Sequence, residues 1–416
     1  MALKKKPVTG MRDIMPEEKE IRDYVEGIIR KTYREFGFLS IETPCMEDIA
    51  NLCSNQGGDN EKLIFKVLKR GEKLKLEEAK EEMDLVDQGM RYDLTLPLSR
   101  YYSNHANDLP SPFKALQMGN VWRADRPQRG RYRQFKQCDI DILGDASNLA
   151  EIELITATTT CLSKLGFKNF EIHINERRIL KAMAAYSGFE EARFDEVFII
   201  LDKMDKIGEE GVKEELLEHG FDAAGVEKYL GLYQMLHSQE DGLTMLANTL
   251  GDSLEEGVAD NLREIIDCVE AAKQGDFKMV FDPTLVRGMS YYTGTIFEIV
   301  MPEFGAACGG GGRYDKMIGN FTGKDVPACG FSIGFERIIL LLMESGFKVP
   351  EEGGKVAYLI EKGCDKDKMT SVMVEAAKLR QEGTTVLISR MNKNKKFQKE
   401  QLEQSGYTDI REVFNR

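Results

Sequence analysis

The chain has 416 residues, 42% of them hydrophobic and 31% charged, and a formal net charge of -13. That length exceeds what one hydrophobic core supports, so two or three domains are expected. The acidic balance argues against a generally basic nucleic-acid coat protein and leaves RNA binding through a local patch open. No apolar run of about eighteen residues is present, which argues against a membrane span. The basic start, Met1 to Pro7, is followed by no apolar stretch, so no secretory leader is expected. The 8 cysteines are scattered without a Cys-x-x-Cys pair, and none of the 4 histidines lies at metal-ligand spacing to another. Neither a disulfide framework nor a zinc site is expected, and a reducing cytoplasm fits best.

Pro16 opens the first predicted helix. Acids follow it, Ile21, Tyr24, Val25, Ile28, Ile29, Tyr33 and Phe36 are read as one face, and Gly37 stops it. A short strand ending at Ile41 to Pro44 comes next, then an exposed hairpin or arm over 61–83. Met90 to Tyr101 reads as a strand running into a helix. Phe113 to Trp122 and Gln134 to Leu143 read as an antiparallel strand pair. A helix over Leu149 to Leu165 and a strand over Phe170 to Ile174 follow. Residues 176–273 are acidic and helical in period, which indicates a helical insertion within a strand-rich domain. Strand character returns over Met279 to Leu285, Tyr292 to Val300 and Cys329 to Ile333, before a helix over Gly334 to Glu344. Gly346 to Gly354 reads as a linker. Beyond it, strands and helices alternate to the end, the pattern of a small parallel α/β unit.

Four constellations could carry chemistry. The first lies between the paired strands: Trp122 to Gly144 holds five arginines and one lysine around a Pro-Gln-x-Gly turn. A cationic patch on a strand–loop–strand unit of an acidic protein asks for an anionic ligand, a polyphosphate or a nucleic-acid backbone. The second is Arg91-Tyr92-Asp93-Leu94-Thr95. The third runs from Leu285 to Gly294 and includes Arg287, Ser290, Tyr291 and Tyr292. The fourth is the run Gly309 to Gly312 before Arg313-Tyr314, followed by Gly330 to Arg337. Each has a plainer reading: solvated charge, a helix cap at Asp93 or Thr95, tyrosine packing on a strand, or a flexible glycine loop. Their conjunction is what favours a ligand site.

Together these residues resemble the class II aminoacyl-tRNA synthetases and, within them, the histidyl-tRNA synthetase family. The basic hairpin looks like class II motif 2, Gly330 to Arg337 like motif 3, and the Pro16–Gly37 helix with the strand ending at Pro44 like motif 1. The second and third constellations resemble the family's two histidine-specific signatures. The resemblance runs from about Gly10 to about Gly346. It implies an α+β fold, with an antiparallel catalytic sheet of six or seven strands flanked by helices. The catalytic core would take 1–175 and 274–346, the helical insertion 176–273, and a shortened anticodon-binding-like α/β domain 352–416.

The resemblance also implies roles. Arg123 would contact the α-phosphate of ATP and the substrate carboxylate. Arg287 would reach that phosphate from the opposite side, where other class II enzymes use a metal ion, and would touch the amino acid. Arg131 and Arg337 would face the distal phosphates, with Mg2+ on the β/γ side and no protein metal site. Asp93, Thr95 and Gln137 match ligands of the histidine α-ammonium. Asp141 and Tyr292, with Tyr291 beside them, match the imidazole contacts, and Tyr314 a further ligand contact. Such a polar pocket discriminates strongly against apolar side chains. Arg126 and Arg129 at the hairpin tip would hold the acceptor end of tRNA(His). A cytoplasmic homodimer with motif 1 at its interface is expected. Ser290 stands where the family most often has an acid, and the C-terminal unit stops early, so either the chain is truncated or its anticodon reading is altered. Two other readings share these residues: the synthetase-like regulatory subunit of ATP phosphoribosyltransferase, and a non-catalytic RNA-binding protein with a vestigial core.

Overall fold

The computed structural model describes residues 3–54, 61–237, 242–286, 292–350 and 353–415. The chain divides into two compact units, Met1–Phe347 and Lys348–Arg416.

The first unit is built on an eight-stranded sheet. Its strands are β1 (Leu39–Ser40), β5 (Phe113–Trp122), β6 (Gln134–Leu143), β7 (Phe170–Glu176), β8 (Phe277–Phe281), β9 (Thr295–Met301), β10 (Ala306–Arg313) and β11 (Ala328–Ile333). They lie in the order β1-β5-β6-β11-β10-β9-β7-β8. All inner pairs are antiparallel, while the edge pairs β1–β5 and β7–β8 are parallel. The expected six or seven strands are therefore exceeded, because a two-residue strand and a glycine-rich one both join the sheet. β2 (Met46–Asp48), β3 (Lys66–Leu68) and β4 (Val86–Met90) make a small separate sheet in the order β2-β4-β3. Of the hairpin or arm expected over 61–83, only β3 is a strand, and its partner β4 lies beyond that range.

Local chemistry accounts for the helix that opens the unit. The Pro16–Glu35 helix has Pro at its start, Glu17 and Glu18 in its first turn and Arg34 in its last. Gly37, at φ 81°, takes the left-handed turn that ends it. Its buried Ile21, Val25, Ile29 and Tyr33 form one stripe. The Pro16–Glu35, Leu149–Lys164 and Phe335–Glu344 helices pack together on one face of the sheet. β6 alternates accordingly: Cys138, Ile140 and Ile142 are buried in the core, while Phe135, Gln137, Asp139 and Asp141 line a cleft.

Several boundaries differ from expectation. The strand read as ending at Pro44 stops at Ser40, where pairing with β5 ends. The strand read from Met90 lies at Val86–Met90, and a helix takes over at Thr95–His105. β8 starts and ends earlier than Met279 to Leu285, and β9 begins at Thr295 rather than Tyr292. Between β7 and β8 the chain is helical, from Arg177–Tyr186 to Val258–Ala271, as its period predicts.

The glycine run, whose plainer reading was a flexible loop, is β10, paired on both sides with β9 and β11. Glycine has poor strand propensity, yet here neighbours demand it. A Cβ on Gly311 would sit 2.0 Å from the Gly330 carbonyl oxygen, and one on Gly312 2.6 Å from that of Thr295. The second unit is a three-stranded parallel sheet, β13-β12-β14, from β12 (Lys355–Ile360), β13 (Thr385–Arg390) and β14 (Asp409–Val413). The Lys366–Gln381 and Lys395–Gln404 helices connect its strands, as the alternation predicts.

Candidate active site

A cleft of about 690 Å³ opens over β6, β11 and β10, on the sheet face away from the helices. Asp93, Thr95, Arg123, Arg131, Gln137, Asp141, Tyr292, Tyr314 and Arg337 all line it. Arg287, Ser290 and Tyr291 lie outside the described residues. The two ends of the cleft differ in chemistry.

One end gathers carboxyls and amides. Asp141 is 2% exposed and accepts a hydrogen bond from the Tyr314 hydroxyl at 2.6 Å through Oδ1. Its Oδ2 is buried with no hydrogen-bond partner, and so is Oε1 of Gln137. Buried acceptors of this kind are costly unless a ligand satisfies them. Burial pushes the Asp141 carboxyl up to about 7, partly countered by the Tyr314 hydroxyl, with Asp93 adding a like charge. Gly330, opposite Asp141 in the β6–β11 register, keeps this corner open: a Cβ there would lie 2.1 Å from Asp141 Oδ1. Asp93 accepts from the Leu96 amide at 3.0 Å, so it caps the Thr95–His105 helix and lines the cleft at once. Tyr292 likewise packs against the apolar cluster of Leu98, Phe113 and Leu143 while lining the cleft.

Guanidinium groups gather at the other end. Arg123 is held by aromatic stacking, with its Cζ 4.2 Å from the Tyr92 ring centre and 5.2 Å from that of Phe135. Its Nε donates to the Tyr92 carbonyl at 3.0 Å. Arg131 sits at the hairpin tip, where Gln128 and Arg131 exchange backbone hydrogen bonds at 3.1 and 2.9 Å. Gly130, at φ 69°, allows that turn. Arg337 donates to the Ala307 carbonyl oxygen. Burial lowers its pKa, and the like charge of Arg131 lowers it further against the opposing pull of Cys308. Two cations placed in mutual repulsion are a preformed anion site.

Other arginines of the four constellations are engaged in ion pairs and backbone contacts. Arg313 does not reach the cleft. It turns to the helix side and binds Glu151 through two hydrogen bonds of 2.7 and 2.6 Å, plus the carbonyls of Asp145 and Ser147. Arg129 folds back onto Glu344 at 2.6 Å and over the Phe304 ring. Arg91, in the second constellation, is 4% exposed and donates to the carbonyls of Thr43 and Asn120, which braces the turn before Asp93.

Two site residues escape the sequence reading. Asp139 lies between Gln137 and Asp141 on the same strand face, 4% exposed, and accepts from Ser332 at 2.5 Å and from Gln137 at 3.3 Å. The two-residue alternation of β6 is the signal that finds it. Glu336 also lines the cleft, but both its oxygens are taken by Arg22 at 2.6 and 2.7 Å. Among the described residues no group of three His, Cys, Asp or Glu could hold a metal ion, and all eight cysteines are free thiols.

A family model of histidyl-tRNA synthetases matches residues 10–338. The chain belongs to the histidyl-tRNA synthetase family. A histidine–tRNA ligase of Leifsonia xyli is 48% identical over 356 residues, 84% of this chain and 81% of that one. One of Christiangramia forsetii is 37% identical over 358 residues, 83% of this chain and 78% of its own length. A histidyl-tRNA synthetase structure from Nostoc superposes with a TM-score of 0.77 at 26% identity, covering 97% of this chain and 90% of that one. An ATP phosphoribosyltransferase regulatory subunit/histidyl-tRNA synthetase structure from Bacillus halodurans gives a TM-score of 0.78 at 19% identity, covering 99% of each chain, a likeness of fold alone. The family is one of class II aminoacyl-tRNA ligases, and the antiparallel sheet with motifs 2 and 3 on β5, β6 and β11 agrees with that class. No helix among the described residues is long and apolar enough to cross a membrane.

Proposed function

We propose that the cleft activates L-histidine with ATP, forming histidyl-adenylate and pyrophosphate, and then passes histidine to the 3′ end of tRNA(His). The observation that carries this reading is the division of one cleft into an end with buried, unsatisfied acceptors and an end with converging guanidinium groups. An amino acid brings an ammonium and, for histidine, an imidazole N–H to the first. A nucleotide brings phosphates to the second.

In the reaction a carboxylate oxygen of histidine attacks the α-phosphorus, and pyrophosphate leaves with the electron pair of the broken P–O bond. Both reactants are anionic, so fixed positive charge lowers the barrier where the pentavalent phosphorus forms. Arg123, stacked between two rings, has the reach and rigidity to bridge the carboxylate and the α-phosphate. Arg131 and Arg337 hold the departing phosphates, and Arg287 approaches from the far side. Asp93, Thr95 and Gln137 take the α-ammonium. Asp141, oriented by Tyr314, accepts the imidazole N–H beside Tyr292 and Tyr291. Mg2+ enters as MgATP, carried by the phosphates. Residues 352–416 act as a shortened anticodon-binding domain, 176–273 as an insertion in the core, and the protein works as a cytoplasmic homodimer.

Histidine-dependent exchange of pyrophosphate into ATP tests this. The wild-type chain should exchange, and Arg123→Ala or Arg337→Ala should each lose about 100-fold or more. Histidine binding without exchange would favour the regulatory-subunit reading. Neither binding nor exchange would leave only the RNA-binding one.

A further inference from the structure

β6 places two carboxyls, Asp139 and Asp141, two residues apart on the face that lines the cleft, 4% and 2% exposed. Each receives one hydroxyl hydrogen bond, from Ser332 at 2.5 Å and Tyr314 at 2.6 Å. Gln137 adds an amide donor to Asp139, and Gln117 lies opposite Asp139 in the β5–β6 register. The charged groups that act on the pair are Asp93, which repels it, and Arg123, which acts on Asp139 from the cationic end. Two anions buried side by side with one hydroxyl donor each are under-compensated in an empty site.

We propose that Asp139 is a further histidine-binding residue, paired with Asp141, and that the pair keeps a proton in the empty cleft and releases it to solvent when histidine binds. The inference rests on the functional reading above. The carboxyl O–H bond breaks, its electron pair stays on the carboxylate, and the proton goes to buffer. The ammonium of histidine then supplies the positive charge the pair lacked. Burial and the neighbouring Asp141 charge raise Asp139 well above the usual carboxylate range, in keeping with a retained proton. Because the pair titrates as a unit, the proton belongs to both residues. A ligand without an ammonium in this position gains nothing from the discharged pair.

Titration calorimetry of L-histidine into the full chain tests this. Repeating it at pH 7.5 in buffers of different ionisation enthalpy counts the protons exchanged, and free imidazole, which titrates near about 6.5, is then mostly neutral. The wild-type chain should release a large part of one proton. Asp139→Asn should still bind histidine, several-fold more weakly, and release less than half as much. Ser332→Ala removes a donor that favours the anion, so it should weaken binding a few-fold and release more. Buffer-independent heats in the wild type, or equal release from Asp139→Asn, would overturn the pair. A wild-type chain that binds no histidine at all would instead overturn the functional reading beneath it.

Discussion

Asp141 shows what a ligand site costs its own fold. Its carboxyl sits at about 7, against about 3.9 for a free aspartate. A carboxyl whose folded value is raised favours the folded state below its unfolded value, and that advantage disappears as pH rises toward 7. Above 7 the folded chain carries a buried charge that the unfolded chain carries in water. At about 1.4 kcal/mol per pKa unit, the burden is on the order of a few kcal/mol at pH 8. Asp141→Asn keeps an acceptor for Tyr314 and drops the charge. It should raise the melting temperature at pH 8 by more than at pH 5.5, and it should abolish histidine-dependent exchange at both. An equal shift at the two pH values would mean that the charge carries no such burden. At this scale Gln137 and Asp141 were legible only through the family resemblance, and the strand period of β6 then puts them on one face. The sequence was not legible where a distant partner decides: nothing near Arg313 reveals that Glu151, on the Leu149–Lys164 helix, takes its Nε and Nη2.

The elements meet in a buried charge network behind the cleft. Arg22 on the Pro16–Glu35 helix grips Glu336 on the Phe335–Glu344 helix, and Glu336 also accepts the Lys136 amide of β6 at 3.1 Å. Arg12 and Glu18 extend it. The pairing fixes the start of the helix whose third residue is Arg337, so it orients one of the cleft's cations. Removing Glu336 leaves the buried Arg22 with only Glu18 as a carboxylate partner, at up to about 3–5 kcal/mol, whereas removing Arg22 and Glu336 together leaves Glu18 paired with Arg12. Glu336→Ala should therefore lower the denaturation midpoint markedly, and Arg22→Met combined with Glu336→Met should recover most of the loss. A double variant no better than the single one would show that packing, rather than charge, holds the helices. Among the strands of the eight-stranded sheet, β10 is the one that the sequence does not announce. A run of four glycines has no side-chain pattern to read, and its strand conformation comes from β9 and β11 closing on either side. The paired strands β5 and β6, by contrast, carry their alternation and their lengths openly.

Across the whole molecule, charge is unevenly shared. Residues 176–273 hold 23 Asp and Glu against 10 Lys and Arg, an imbalance as large as that of the entire chain, so the remainder is balanced overall. Within that balanced remainder the sheet face collects arginines at one end of the cleft and carboxyls at the other. Field alone should draw polyphosphate and RNA backbone to the hairpin side rather than to residues 176–273. Composition alone conveyed only the acidic total; its division follows from the position of the insertion between β7 and β8. Activation in this cleft requires histidine and ATP to lie end to end across β6, β11 and β10. A crystal structure with a non-hydrolysable histidyl-adenylate analogue tests it most directly. The imidazole should meet Asp141, the ammonium Gln137 and Asp93, and the phosphate mimic Arg123, with Arg287 closing from the opposite side. An analogue bound with its imidazole among the arginines, or bound outside the cleft, would contradict it.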